Sequence, residues 1–553
     1  MKHKWLTAFC ALALVTASLP AAHADGPVDP LVLVGLAYGG NALDGANLEN
    51  QVGVGYRFGY LDADRTFFQV GYTTETAVSV VKTQNVWYGS YDGYTSYSDA
   101  ITSDIFVGCW HVQLPLIPST FEEAVAAAND VGGFPAWIDG GYQVRVGAYA
   151  TQEEAQSAAS LLGGTTVGTS AYAVSVVKTG TAAVLFQFDG GADRSLTVKP
   201  GQDESLKTEI WFKKNRYFGA FQYRRIGGGD LTVSNVIPLE DYINCVVSRE
   251  MSRSWPLEAL KAQAVCARTY YEINLGRHNA DGFDICATTH CQAYYGMSET
   301  DAHTAQAAAE TAGQKAWYNG KPAQTYYFSS SGGGTEDVRN VWGSTSIPYL
   351  CGVVDPYEAT VSSKISDWNW TKTLTSSELN AIVVPTLQAK GYNCAAIVDV
   401  QITETTPTGN VKSISFIDAN GKSWPFVKES GVRNLLGLKS MRYTVTAVGE
   451  TTGGVYYTDG GGTISSMTGA YAINGDGSVG KISGNPYVIT GSGTQFLPAP
   501  SGGTETGERV FTFSGSGWGH SVGMSQWGAY AMAQQGKTFE EILTFYYPGI
   551  EIR

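Results

Sequence analysis

The sequence predicts an α+β, β-rich protein of several domains, with a βαββαβ module followed by a core of strands that carries one long helix. Three observations predict it. The chain has 553 residues, room for about three or four domains. Short runs that alternate apolar and polar residues, separated by Gly, Asn and Asp, fill 25–104 and return beyond residue 360. A helical phrase occurs twice, TFEEAVAAA from Thr120 and TQEEAQSAA from Thr151, each time between strand-like runs.

The elements follow in chain order. Residues 1–24 read as a signal peptide: Lys2 and Lys4 precede the apolar run WLTAFCALALV, and Ala22-His23-Ala24 offers a small-residue cleavage site. Cleavage gives a secreted protein, extracellular or cell-wall associated; without cleavage the segment is a membrane anchor. No later run reaches the roughly 20 apolar residues of a membrane span. Seven cysteines remain beyond the signal, an odd number that cannot pair completely. Residues 25–104, with LVLVGLAY, GVGYRFGYL and RTFFQVGYT, are an N-terminal β-rich region.

Residues 105–180 form the repeat module. FVGCWHVQL and YQVRVGAYA precede its two helices, and AWI and AYAVSVV follow them. Each helix opens on a threonine with acids in its first turn, which suits an N-cap and the helix dipole. Residues 181–228 continue as a β-rich connecting region. Residues 229–553 are the core, with a Gly-, Ser- and Thr-dense insertion at about 450–508. Within it, Pro238 opens a short helix in PLEDYINCVV, and Pro256 opens the long one. Leu257, Leu260, Ala264 and Tyr271 mark one face of that helix.

Composition narrows the function. A net charge of −14 argues against a nucleic-acid partner. Charged residues make up 16 per cent, against roughly 25 per cent in an average soluble protein. With 66 glycines, 32 tyrosines and 13 tryptophans, the chain suits a turn-rich exported protein whose aromatics pack the core and can stack on sugar rings.

Two constellations carry chemistry. In REMSRSWPLEALKAQAVCARTYY, Glu250 precedes the long helix among Val246, Val247, Met251 and Trp255. An apolar wall keeps a carboxyl protonated, and so able to donate a proton to a glycosidic oxygen. A capping or salt-bridged glutamate fits the same local sequence. In RHNADGFDICATTHCQAY, His278, Cys286, His290 and Cys291 supply the thiol and imidazole donors that zinc prefers. A Cys286–Cys291 disulfide is the alternative, and Asp284 or water competes with His278 as fourth ligand.

The run YQVRVGAYATQEEAQSAASL resembles the SPOR family, whose βαββαβ fold binds glycan strands stripped of their peptides. Four further phrases resemble the SpoIID/LytB family of peptidoglycan lytic transglycosylases. They are LEDYINCVVSREMSRSWPLEALKAQAVCARTYY, TYYFSSSGGGTEDVRNVWG, PYLCGVVDPYE and SGWGHSVGMSQWGAYAMA. That resemblance implies that Glu250 is the catalytic acid and that the MurNAc–GlcNAc bond of peptide-stripped strands is cleaved to a 1,6-anhydro end. It implies substrate contacts from Lys261, Arg268, Ser330, Ser331, Gly332, Thr335, Glu336, Trp518, His520 and Gln526. It also implies a structural zinc on the Cys/His cluster, not required for the chemistry. Hydrolysis is the rival reaction and needs a second acid, for which Glu336, Asp337 and Asp355 are the candidates. A non-catalytic amidase enhancer, partnered with a cell-wall amidase, is the rival from another class.

Overall fold

The protein is described here by a computed structural model, which covers residues 29–51, 54–91, 93–101, 103–201, 207–343, 345–448 and 508–553, together with the backbone of short strands between 456 and 496. The signal peptide lies outside the described residues. So does most of the 450–508 insertion, where hairpin backbones such as Tyr487–Thr490 with Gly493–Phe496 are described.

LVLVGLA forms the strand Leu31–Ala37, and its continuous apolar run is buried because the strand is internal. It pairs antiparallel with Leu231–Pro238 on one side and parallel with Ile285–Cys286 on the other. The seven-stranded sheet continues through Ala220–Arg225, Leu196–Pro200, Tyr56–Leu61 and Phe67–Thr73. A ten-stranded sheet likewise takes strands from both sides of the repeat module. The expected boundaries at 104, 180 and 228 therefore do not separate sheets. One contiguous apolar core runs from Val32 to Ile550.

At one end of the larger sheet lie Thr165–Val167, Trp110–Gln113, Gly141–Tyr149 and Phe134–Ile138, in that spatial order. Numbered along the chain this is 4-1-3-2, with neighbours antiparallel. The two repeated phrases are helices α1 (Phe121–Val131) and α2 (Gln152–Leu162). Thr120 and Thr151 cap them, accepting from the amides of Glu123 and Glu154. The closing strand is the short TTV at 165–167 and not AYAVSVV. The latter becomes Val174–Lys178, four of whose residues are buried, between Val184–Asp189 and Ala77–Lys82. An apolar run of that kind requires a central position.

The core helices are α3 (Leu239–Glu250), α4 (Leu257–Asn274), α5 (Ala302–Glu310), α6 (Val338–Trp342), α7 (Ser376–Ala389), α8 (Gln526–Gln534) and α9 (Phe539–Tyr546). α4 packs against α3, α5, α8 and α9. It is buried around its whole circumference from Ala262 to Tyr271, where alanines at 262, 264 and 267 let neighbours approach. The single apolar face expected for it is therefore too narrow. No helix among the described residues is long and apolar enough to cross a membrane.

Candidate active site and metal centre

Glu250 is the last residue of α3, and Met251 leaves the helix extended and buried. Arg249 turns outward: it pairs with Glu299 at 3.0 Å and lies 4.3 Å over the Tyr295 ring. The Glu250 carboxylate accepts from the Ala293 amide at 3.2 Å and from Gln526 Nε2 at 3.3 Å. Burial raises its pKa above the ordinary carboxyl value; Ala293, Gln526, the Tyr327 hydroxyl and the charge of Arg249 pull it part of the way back. Among the described residues no second carboxylate shares these hydrogen-bond partners.

Long-range pairing builds this setting. Tyr327–Phe328 and Met524–Ser525 form a parallel two-stranded sheet, which delivers Gln526 beside Tyr327. Tyr327 donates to Gln292 Oε1 at 3.0 Å, and Gln292 Nε2 donates to Tyr242 of α3 at 3.1 Å. Sequence reasoning missed Tyr327, Gln292 and the Ala293 amide. Two of them directly follow Cys291, and Tyr327 lies in a phrase already singled out, but nothing local marks them.

The SSSGGGTE loop lies behind this site. Ser330 and Ser331 are buried and donate to Glu358, Ser331 Oγ at 2.5 Å. Ser525 donates to the same carboxylate at 2.8 Å and caps α8 through the Gly528 amide. Glu358 is fully buried, and burial with the neighbouring charge of Asp355 raises its pKa. Thr335 bonds through its hydroxyl to the Val353 amide, and Glu336 accepts from Thr406, Thr408, Asn410, Asn340 and the Asp337 amide. Gly332 has φ +63°, and a Cβ there would lie 2.5 Å from the Ser516 carbonyl carbon. Ser330, Ser331, Gly332, Thr335 and Glu336, expected as substrate contacts, are thus buried and bonded within the protein frame.

Two more of the expected substrate contacts are engaged within the protein. Lys261 is held by Glu258 at 2.8 Å and Glu310 at 2.7 Å. Arg268 is fully buried, gripping Glu240 with two nitrogens and the carbonyls of Gln314 and Ala308. Lys261 is thus paired to two helix carboxylates, and Arg268 is sealed from solvent. Trp518 is 46 per cent exposed beside Lys439, and pairs its backbone with Ser330. His520 packs between Phe328 and Trp342 and accepts from the Val522 amide; burial pushes its pKa down to about 4, so it is neutral at neutral pH. Of the expected substrate contacts, Gln526 alone touches Glu250 among the described residues.

The ligand atoms of His278, Cys286, His290 and Cys291 lie within 4.8 Å of one another. His278 Nε2 is 3.4 Å from Cys291 Sγ, and His290 Nδ1 is 3.7 Å from both thiols. A tetrahedral zinc with ordinary bond lengths separates such ligands by about 3.3–3.8 Å, so the donor set fits. Asp281 Oδ2, 2.9 Å from His278 Nδ1, is the carboxylate that orients a ligating imidazole. Metal on His290 Nδ1 would leave its proton on Nε2, where Arg277 Nη2 stands at 3.1 Å, so Arg277 would turn aside. Both cysteines are free thiols, not a disulfide. Asp284 is engaged by Arg65 and the Leu33 amide, and is not the fourth ligand. The Cys291-Gln292-Ala293 segment joins this cluster to Glu250.

With this geometry in view, the relatives are informative. The family model SpoIID, "Stage II sporulation protein", matches residues 227–318, which hold Glu250 and all four candidate ligands. An uncharacterised protein of Brachyspira hyodysenteriae is 32% identical over 352 residues, 63% of this chain and 75% of that protein. The amidase enhancer of Bacillus subtilis is 30% identical over 320 residues, 55% of this chain, and the match spans only 39% of the enhancer. Stage II sporulation protein D of Bacillus amyloliquefaciens is 30% identical over 333 residues, 57% of this chain and 74% of that protein. Aligned over most of that protein's length, the chain belongs to the SpoIID family.

Proposed function

We propose that this chain is an exported peptidoglycan lytic transglycosylase that cleaves the MurNAc–GlcNAc bond of peptide-stripped glycan strands. The observation that carries this reading is the buried Glu250 carboxyl, its pKa raised, with no second carboxylate sharing its hydrogen-bond partners among the described residues. Glu250 is enclosed by an amide, a carboxamide and a phenol. The acids that hydrolysis would recruit are committed elsewhere: Glu336 to its five donors, Asp337 to Arg339, Asp355 to Ser331 and Tyr546. One carboxyl suffices for transglycosylation. Glu250 gives its proton to the bridging oxygen as the C1–O bond breaks, and the freed GlcNAc 4-hydroxyl leaves. The resulting carboxylate takes the proton of the MurNAc 6-hydroxyl, whose oxygen closes on C1. The intramolecular hydroxyl brings a large effective concentration, so water is not needed.

A zinc on the Cys/His cluster would supply structure, holding the segment whose Ala293 amide meets Glu250. The βαββαβ module, by its resemblance to SPOR domains, would hold stripped strands. The relatives' names support a role in sporulation or wall remodelling, with a cell-wall amidase as the partner that strips the strands. The similarity to an amidase enhancer favours one second reading, a non-catalytic wall-binding partner of that amidase. Digestion of stripped strands in ¹⁸O water separates the possibilities. Anhydro ends free of label support transglycosylation, labelled reducing ends mean hydrolysis, and no products leave the enhancer reading.

A further inference from the structure

Away from Glu250, a cavity of about 670 Å³ opens where the seven-stranded sheet meets the loop that runs between His278 and Cys286. Its floor is aromatic. Tyr60 and Phe68 stack at 5.5 Å with planes 13° apart, and Phe68 is 45 per cent exposed. Arg194 lies 5.3 Å over Tyr60 and 6.0 Å from Trp137, and its guanidinium makes no hydrogen bond or ion pair among the described residues. Arg224 is half-buried in the same wall. It donates through Nε to Ser195 at 3.0 Å, and neither terminal nitrogen has a partner among the described residues. Burial lowers its pKa.

The acids of the cavity do not neutralise these two arginines. Asp284 is taken by Arg65, and Asp62 closes a turn by accepting the amides of Asp64 and Thr66. Asp193 lines the cavity without a bond to either arginine. Gly282, at φ +84°, lets the loop close over Arg224; a Cβ there would come within 2.6 Å of the Arg224 Cδ. The terminal nitrogens of Arg224 are thereby left open to a ligand in the cavity.

We infer that this cavity binds a carboxylate-bearing sugar, its ring stacked on Tyr60 and Phe68 and its carboxylate on Arg224 and Arg194. An aromatic face suits the C–H side of a pyranose, and an arginine fork suits a planar carboxylate. In the wall that carboxylate is the lactyl group of muramic acid, free only where the peptide has been removed. The site would therefore read whether a strand is stripped, at a place separate from the acid that cuts it. This rests on the glycan reading above.

The test is calorimetric titration of the metal-loaded Glu250→Gln chain, which separates binding from turnover, with N-acetylmuramic acid, N-acetylglucosamine and N-acetylglucosamine 6-phosphate. N-acetylmuramic acid should bind about tenfold or more tightly than N-acetylglucosamine, and Arg224→Gln should remove that difference. Arg194→Gln, at an exposed position, should weaken it without affecting the fold. Equal binding of the two sugars, a preference for the phosphate, or binding unchanged in both arginine variants would overturn the proposal. Failure of strand cleavage by the native chain would leave this measurement intact.

Discussion

Replacing Arg268 by alanine decides between its two roles, in substrate binding and in folding. The side chain is 0% exposed and donates to both oxygens of Glu240, at 2.8 and 2.5 Å, and to the carbonyls of Gln314 at 3.0 Å and Ala308 at 3.4 Å. Alanine leaves Glu240 with only the Gly313 amide, 3.1 Å from Oε1, and leaves two carbonyls without this donor. The Glu240 side chain is 24% exposed, so water offsets little of the loss. Breaking one side of a buried pair costs about 3–5 kcal/mol. That is an unfolding midpoint about 1–2 M lower in urea, followed by near-ultraviolet circular dichroism. Arg268→Lys keeps the charge but not the fork and should fall between. The folded fraction of either variant should keep the native KM for glycan strands. An Arg268→Ala protein that unfolds at the native midpoint yet shows a raised KM would refute this reasoning.

Three other outcomes are expected. In the proposed reaction Glu250 acts protonated, so activity should fall as pH rises through its raised folded pKa, above the ordinary 4.5. Stability should follow the same sign: the protonated group's contribution is full below the unfolded pKa and is lost as pH rises through the folded one. Glu250→Gln should therefore match the native chain in acid and exceed it in thermal stability at neutral pH. Removing metal with a chelator, or Cys286→Ser, should take bound zinc from one per chain to none by elemental analysis. Turnover should fall with it, because the Ala293 amide is no longer fixed. Gly332→Ala puts a Cβ 2.5 Å from the Ser516 carbonyl carbon at positive φ and should destabilise by about 1–3 kcal/mol in urea unfolding.

Local sequence carried the features with local causes. Threonine caps, the acids behind them and the strand periods all report on neighbours within a few residues, so α1, α2 and the β-rich character were legible. The 278–291 cluster was legible because its ligands are close in the chain. Pairing across the chain was not. Nothing in LVLVGLA says that it sits beside Leu231–Pro238, or that Tyr327 and Met524 are partners in register. Serines and glycines in SSSGGGTE read equally as a sugar-binding wall or as a frame, and only the buried Glu358 and Asp355 distinguish the two. Lys261 and Arg268 carry the same ambiguity: a cation on a helix does not reveal whether its partner is a ligand or another helix.

The central claim is that Glu250 is the acid of a transglycosylase. Native chain and Glu250→Gln, both metal-loaded and matched in circular dichroism, would be given the same amidase-treated strands, and the products read by mass spectrometry. The native chain should give 1,6-anhydro-MurNAc ends, and the variant none above background. Anhydro ends formed equally by both proteins would contradict the claim, because the proton would then come from another group.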